Sequence, residues 1–204
     1  MTNRFFNVVR IVVGMAPLAL PDTSGASCTP PPPGLIAWWP GDGDCRDLVG
    51  TRVGVVNGGV TFTSGKVGQA FNFNGVNGTV TFPGSEYLNP QAGVSVEMWV
   101  KTTTPKRWAG LLLKEDYAPT NADAFKAGYK MNLSTNGYGV EMWLRNPTNE
   151  FYAGNPKIVV DGVWHHVVGT YDGTKAFAYS DGCRTPIPIH IGQSFQFKAD
   201  TCSD

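Results

Sequence analysis

Two strand-like segments carry the residues best suited to chemistry. Residues 94–101 read VSVEMWVK, and residues 139–145 read GVEMWLR. A glycosidase needs two carboxyl groups that flank the scissile bond. Each segment offers one glutamate, and a tryptophan and then a cation follow it at alternate positions, where a second acid would have to stand. Paired-carboxylate hydrolysis is therefore disfavoured, and we predict that these side chains bind a ligand: Trp99, Trp143, Glu97, Glu141 and Arg145.

The alternation in both segments assigns their faces. Successive side chains of a strand point to opposite sides, so the aliphatic residues of each segment share one face. The glutamate and the tryptophan share the other face, where a ring can stack on a sugar and polar neighbours can bond its hydroxyls. Because the two segments are built alike, we predict that they are neighbours in one sheet. The alternative for any single tryptophan is packing between sheets.

A histidine pair stands in the segment WHHVVGTY at residues 164–171. In a strand, His165 and His166 diverge and cannot chelate one ion together. We predict that both are structural residues, either exposed or hydrogen-bonded in the core.

The segment GDGDCRD at residues 41–47 places three carboxylates, Asp42, Asp44 and Asp47, in a turn that contains glycine. Carboxylate oxygens are the ligands that calcium prefers. We predict these three as possible calcium ligands. The alternative is that the acids only stabilise the turn, because their side chains readily hydrogen-bond the local backbone.

Composition favours one β-rich domain. The 204 residues are 42% hydrophobic and 16% charged, with 25 glycines and 15 prolines. About ten short runs rich in valine and aromatic residues recur between turn residues, and no segment keeps a helical period. We predict an all-β, two-sheet antiparallel jelly-roll sandwich over residues 34–204. The formal net charge is zero and the basic residues are scattered, so nucleic acid is a disfavoured partner.

The N-terminal region predicts export. Residues 1–27 have the order of a secretory signal, and residues 28–33 form a proline-rich spacer. The apolar part of the leader is too short to span a bilayer, so we predict no membrane insertion of the mature domain. Export permits disulfides, and the four cysteines allow three pairings. We favour Cys28 with Cys45 and Cys183 with Cys202, and unpaired thiols are the alternative in a cytosolic chain.

Four segments in order resemble the signature blocks of bacterial laminin-G-like (concanavalin A-like) jelly-roll domains. They are GLIAWWPGDGDCRDLVG, GKVGQAFNFNGVNGTVTFP, LNPQAGVSVEMWVK and DGVWHHVVGTYDG. The resemblance implies a curved sandwich in a secreted or cell-surface protein that binds glycans or proteins, sometimes with calcium at the rim. Asn74 and Asn77 replace carboxylates that are usual in such domains, which removes charge from one potential cation site.

The resemblance also implies a closing strand near the first strand of the domain, and the C-terminal sequence does not contain a recognisable one. We expect either an open edge beside the segment LIAWW at residues 35–39 or its coverage by SFQFK at residues 194–198.

Taken together, these features predict a non-catalytic module of a secreted or surface protein that binds carbohydrate or an extracellular protein. A glycoside hydrolase or lyase on the same fold is one alternative. A structural or adhesion module without a small ligand is another, since the fold alone does not choose among them.

Overall fold

A computed structural model describes residues 4–12, 34–82, 88–89, 92–118, 121–146, 148–184 and 189–190. This part of the chain forms fifteen β-strands and contains no α-helix. In chain order they are β1 (Arg4–Val12), β2 (Leu35–Trp39), β3 (Val55–Asn57), β4 (Val60–Ser64), β5 (Gln69–Phe73), β6 (Thr79–Thr81), β7 (Val94–Lys101), β8 (Gly110–Ala118), β9 (Asn121–Leu133), β10 (Val140–Arg145), β11 (Glu150–Asn155), β12 (His165–Tyr171), β13 (Ala176–Ser180), β14 (Cys183–Arg184) and β15 (Ile189–His190).

The strands form two main antiparallel sheets. The larger sheet has the order β14-β13-β12-β7-β1-β5-β4, and β2 also pairs with β1. The second sheet has the order β15-β11-β10-β9-β8, and β3 pairs with β6 in a small separate ribbon. The predicted all-β sandwich is confirmed. Within the part of the chain that the structure describes, no helix is long and apolar enough to cross a membrane.

The core lies between the two sheets. The aliphatic side chains of β7 and β10 are buried there, as the strict alternation of both segments predicts. Contact across the core is close at Gly169 of β12, where an added Cβ would lie 2.7 Å from the sulfur of Met142 in β10. A larger residue at this point would require the Met142 side chain to move, so glycine permits the close approach of the two strands.

The prediction that the two VEMW segments are sheet neighbours is wrong. Strand β7 pairs with β1 and β12 in the larger sheet, whereas β10 pairs with β9 and β11 in the second sheet. Both strands turn their aliphatic faces towards the shared core, so their polar faces point outwards on opposite sides of the sandwich. Glu97 and Trp99 consequently lie far from the face that carries Glu141, Trp143 and Arg145.

The position beside β2 is occupied by β1. This strand pairs with β2, β5 and β7, with Ile11 in register with both Ala37 and Val96. The expected open edge beside residues 35–39 is therefore absent from the described structure, because the N-terminal strand covers it. The alternative covering segment, residues 194–198, lies outside the described residues. The leader predicted over residues 1–27 overlaps β1, and its cleavage stays a prediction.

Candidate ligand-binding site

A buried carboxylate stands at the centre of the outer face of the second sheet. Glu141 of β10 is only 1% exposed. Its Oε1 accepts hydrogen bonds from the Thr135 amide at 2.7 Å, the Thr135 hydroxyl at 3.0 Å and the Tyr152 hydroxyl at 2.9 Å. Its Oε2 accepts from Asn132 Nδ2 at 3.2 Å and Trp143 Nε1 at 3.3 Å. Five donors thus satisfy one buried carboxylate, which is the condition for its burial.

Strand register brings Asn132, Glu141 and Tyr152 together. Asn132 of β9, Glu141 of β10 and Gly154 of β11 lie side by side across the sheet. Gly154 has no side chain, so the ring of Tyr152 leans along the strand and its hydroxyl reaches Glu141. An added Cβ at Gly154 would lie 2.6 Å from the Tyr152 hydroxyl oxygen. Burial raises the pKa of the Tyr152 phenol, and the charge of Glu141 and the hydrogen bond to it raise it further.

A third aromatic side chain joins through the β9–β10 turn. Trp108 Nε1 donates to the Thr135 hydroxyl at 3.3 Å, and the same hydroxyl donates to Glu141. The indole of Trp108 is 56% exposed, and Arg107 lies 4.0 Å from its ring centroid. Trp108 has a φ of 54°, in the left-handed region, where a bulky side chain costs about 1–3 kcal/mol. Such strain is concentrated at functional sites in proteins.

Trp108, Trp143 and Tyr152 form a group that we call the aromatic platform. The rings of Trp143 and Tyr152 meet edge to face, with centroids 4.9 Å apart and an interplanar angle of 64°. Lys130, in register with Trp143 on β9, places its ammonium 5.5 Å from the Trp143 centroid. The platform thus offers aromatic rings, a phenol and a cation on one outer face, which is a set of groups suited to stacking and hydrogen bonding with a sugar.

The platform contains only part of the site predicted from the sequence. Trp143 belongs to it. Glu141 is buried beneath the rings and accepts hydrogen bonds from Trp143 and Tyr152 instead of facing solvent. Arg145 is exposed farther along β10, in register with Glu150 of β11. Sequence reasoning did not select Trp108, Tyr152, Thr135 or Asn132 as site residues. These four residues come from two strands, one turn and one loop, so no local pattern links them.

Glu97 and Trp99 lie in a separate group on the outer face of the larger sheet. The ring of Trp99 is 5.1 Å from that of His166, with the planes inclined by 41°. His166 Nε2 lies 3.5 Å from a carboxylate oxygen of Glu97, and the ammonium of Lys66 lies 5.0 Å from the Trp99 centroid. This second group has one aromatic ring besides the imidazole, and within the described contacts it lacks a buried polar anchor like Glu141.

The two histidines diverge, as predicted. His165 is buried on the core side, where Nδ1 lies 2.7 Å from a carboxylate oxygen of Asp181 and Nε2 lies 2.9 Å from one of Asp161. Both ring nitrogens donate only when the imidazole is protonated. Burial by itself would lower the pKa of His165, but the hydrogen bonds and charges of the two aspartates outweigh it and raise the pKa. His165 therefore ties the turns on either side of β12 and β13 together and is a structural residue.

The pKa values of the two aspartates are lowered, whereas that of His165 is raised. The hydrogen bond from His165 holds the pKa of Asp161 below its ordinary value. Burial alone would raise the pKa of Asp181, but the bonds from His165 and from the His166 amide lower it.

The structure does not gather the predicted calcium ligands. Asp42 accepts the backbone amide of the first residue of β5, and Asp44 bonds to Arg46 two residues away. Asp47 is buried and one of its oxygens accepts two backbone amides, one of them from β2. Among the residues with described positions, no group of three or more histidine, cysteine, aspartate or glutamate side chains is arranged to hold a metal ion. The three acids therefore act as local turn and strand anchors, and calcium binding stays a prediction.

One cysteine has a described side chain. Cys45 is a buried free thiol, and burial together with the charge of Asp44 raises its pKa. Cys28 and Cys202 lie outside the described residues, as does the side chain of Cys183, so the Cys183–Cys202 pairing stays a prediction. The Cys28–Cys45 bridge is not formed in this structure.

Comparison with protein families places the chain. Searches of curated proteins and of solved structures returned no match. A scan against family models matches residues 74–196, more than half of the chain, to a laminin-G model described as the concanavalin A-like lectin/glucanases superfamily. That description spans proteins that bind sugars and proteins that hydrolyse them. The matched residues include β6 to β15, and therefore the whole second sheet, four of the eight strands of the larger sheet and the whole aromatic platform. This chain belongs to the concanavalin A-like lectin/glucanase superfamily.

Proposed function

We propose that this chain is a non-catalytic binding module whose aromatic platform binds carbohydrate. The observation that supports the proposal best is the anchoring of the platform. One buried carboxylate holds Trp143, Tyr152 and, through Thr135, Trp108 by direct or relayed hydrogen bonds. Rings that are fixed before a ligand arrives lose little freedom on binding, which favours affinity.

The position of the acids supports binding rather than hydrolysis. Glu141 accepts five hydrogen bonds through its two oxygens and is almost fully buried, so neither oxygen is open to a substrate. The other acid on this face of β10 and β11 is Glu150. It is in register with Arg145, which lies four residues along β10 from Glu141. Four residues of strand span about 13 Å, beyond the roughly 5–9.5 Å that separates the two carboxyl groups of glycosidases.

A glycan array followed by calorimetry on the strongest ligand tests the proposal. We expect Trp143→Ala and Trp108→Ala to weaken binding about tenfold or more, since each removes one stacking surface. Trp99→Ala is the matched control, because it removes a tryptophan from the outer face of the other sheet. Loss of binding in Trp99→Ala with no change in the two platform variants would contradict the proposed site.

The same array tests calcium dependence, and together with a hydrolysis assay it distinguishes carbohydrate binding from protein binding and from catalysis. It is run with calcium and with EDTA, and binding that disappears in EDTA would support the predicted calcium dependence. The absence of binding in both conditions would contradict the lectin proposal and favour a protein-binding or adhesion module. New reducing ends after incubation with β-glucans would contradict the non-catalytic assignment.

We also propose that the module acts outside the cell. The support is the signal-like order of residues 1–27 and the number of cysteines. N-terminal sequencing of the protein recovered from a culture supernatant tests this, and recovery only from the cytoplasm would contradict it. The same sequencing shows whether β1 is kept after export, because cleavage at the end of the predicted leader would remove that strand.

A further inference from the structure

A cavity of about 550 Å³ is lined by residues of β5 in the larger sheet, β6 in the small ribbon and β8 in the second sheet. One wall consists of Phe71 and Phe73 of β5 with Val80 of β6, and the opposite wall consists of Leu111 and Leu112 of β8. A register shift between Gly110 and Leu112 interrupts the β8–β9 pairing at this point. The irregularity leaves both leucines half-buried against the core. The volume lies within the roughly 300–1,000 Å³ range of small-molecule sites.

The polar groups of this apolar cavity are mainly donors. Lys114 lines it and is 9% exposed, and Lys106 lines it from the loop before β8. Trp39 also lines it, is 3% exposed, and has a buried Nε1 with no hydrogen-bond partner in the structure. A buried donor without an acceptor is unfavourable, and such groups in native proteins call for an explanation. No aspartate or glutamate occurs among the described residues that line the cavity.

We propose that this cavity binds an amphiphile with a long aliphatic chain and one carboxylate, such as a fatty acid. The aliphatic chain would lie against the phenylalanine, valine and leucine side chains, where its burial is favourable. The carboxylate would accept hydrogen bonds from Lys114 and from the indole of Trp39, and it would complement the positive charge of the lining. A neutral lipid of the same length fills the same space but leaves the lysine charge uncompensated by the ligand.

Displacement of the fluorescent fatty acid cis-parinarate from the full chain tests this proposal. We expect oleate to displace the probe about tenfold more effectively than oleyl alcohol, because a charge-assisted hydrogen bond contributes about one factor of ten or more to affinity. Lys114→Met keeps the length of the side chain and removes its charge, and it should abolish this preference. Trp39→Phe keeps the aromatic packing and removes the donor, and it should weaken oleate binding several-fold. Lys175→Met, at an exposed lysine in the turn between β12 and β13, is the matched control and should leave the preference intact.

Two variants locate the ligand independently of the charge. Val80→Trp and Leu112→Trp fill the cavity from opposite walls, and each should lower probe binding at least tenfold while the urea midpoint shows that the protein is folded. Failure of wild-type protein to bind cis-parinarate, as would follow if another part of the chain filled the cavity, would overturn the proposal. Equal displacement by oleate and oleyl alcohol, or unchanged binding in both folded tryptophan variants, would also overturn it. None of these results depends on carbohydrate binding by the platform.

Discussion

The anchoring role of Glu141 leads to a quantitative prediction about two substitutions. Glu141→Gln keeps the size of the side chain but exchanges one acceptor oxygen for an NH₂ donor. If the NH₂ group replaces Oε2, it faces two donors, Asn132 Nδ2 and Trp143 Nε1. Asn132 Oδ1 is buried and has no partner, so a flip of the Asn132 amide restores that hydrogen bond, but it gives up the bond from Asn132 Nδ2 to the Leu133 carbonyl at 3.2 Å. Two hydrogen bonds are then lost, the one from Trp143 Nε1 and the one from Asn132 to the Leu133 carbonyl, and we expect a loss of about 1–2 kcal/mol in unfolding free energy.

Glu141→Ala removes the acceptor from all five donors. Some of these donors can turn towards water, but the Thr135 amide and Asn132 side chain lie in the buried part of the network. A buried neutral donor left without an acceptor costs about 1–3 kcal/mol, so these two, with smaller losses at the other three donors, lead us to expect a loss of about 3–5 kcal/mol. The difference between the two variants, about 1–4 kcal/mol, is the part of the prediction that depends on the network.

Urea unfolding followed by tryptophan fluorescence measures both values. Tyr152→Phe provides the second arm of a double-mutant cycle: it should be destabilising by about 1 kcal/mol in the wild-type background and nearly neutral beside Glu141→Ala, because its acceptor is then gone. Glu97→Ala, at a partly exposed glutamate of the other sheet, is the control and should change stability by less than about 1 kcal/mol. If Glu141→Ala is no more destabilising than Glu141→Gln, Glu141 does not anchor the platform.

Three further predictions follow from the structure. Stability should decrease as the pH rises above about 6.5, because the pKa of His165 is higher in the folded than in the unfolded protein. The stabilisation by protonated His165 is complete below the unfolded-state pKa and is lost as the pH rises through the folded-state pKa. The contribution of Asp181 to stability is present above about pH 3.8 and is lost as the pH falls through its lowered folded-state pKa. A plot of urea midpoint against pH should therefore peak between about pH 3.8 and about pH 6.5. A His165→Phe profile identical to that of the wild type would disprove this role of His165. Gly154→Ala should lower stability by about 1–3 kcal/mol and change the near-ultraviolet circular dichroism, because the new Cβ displaces Tyr152, and an unchanged spectrum would contradict that contact. Deletion of residues 2–13 removes β1 from the middle of the larger sheet and should markedly lower the urea midpoint, whereas an unchanged midpoint would mean that the mature fold does not use this strand.

The outer-face groups show why the site was only partly predictable. Strict alternation along 94–101 and 139–145 assigned the buried and outward faces of both strands correctly, because the strand period acts within each segment. The same pattern placed the two segments in one sheet, and this was wrong. Alternation reports which face meets a core, and both sheets of a sandwich meet the same core from opposite sides. Glu97 and Glu141 therefore look equivalent in sequence and have different environments in the fold.

The sequence by itself determined the fold class, the aliphatic core positions of β7 and β10, and the divergence of His165 from His166, because each of these depends on neighbours within a few residues. The tertiary structure alone decided which acid became the buried anchor and which aromatic residues gathered around it. Thr135, Glu141 and Tyr152 meet through strand pairing, and Trp108 meets them through a loop that packs on the β9–β10 turn. Contacts of this kind depend on the register between strands and on loop packing, and these are set by the whole core rather than by any segment that supplies a residue.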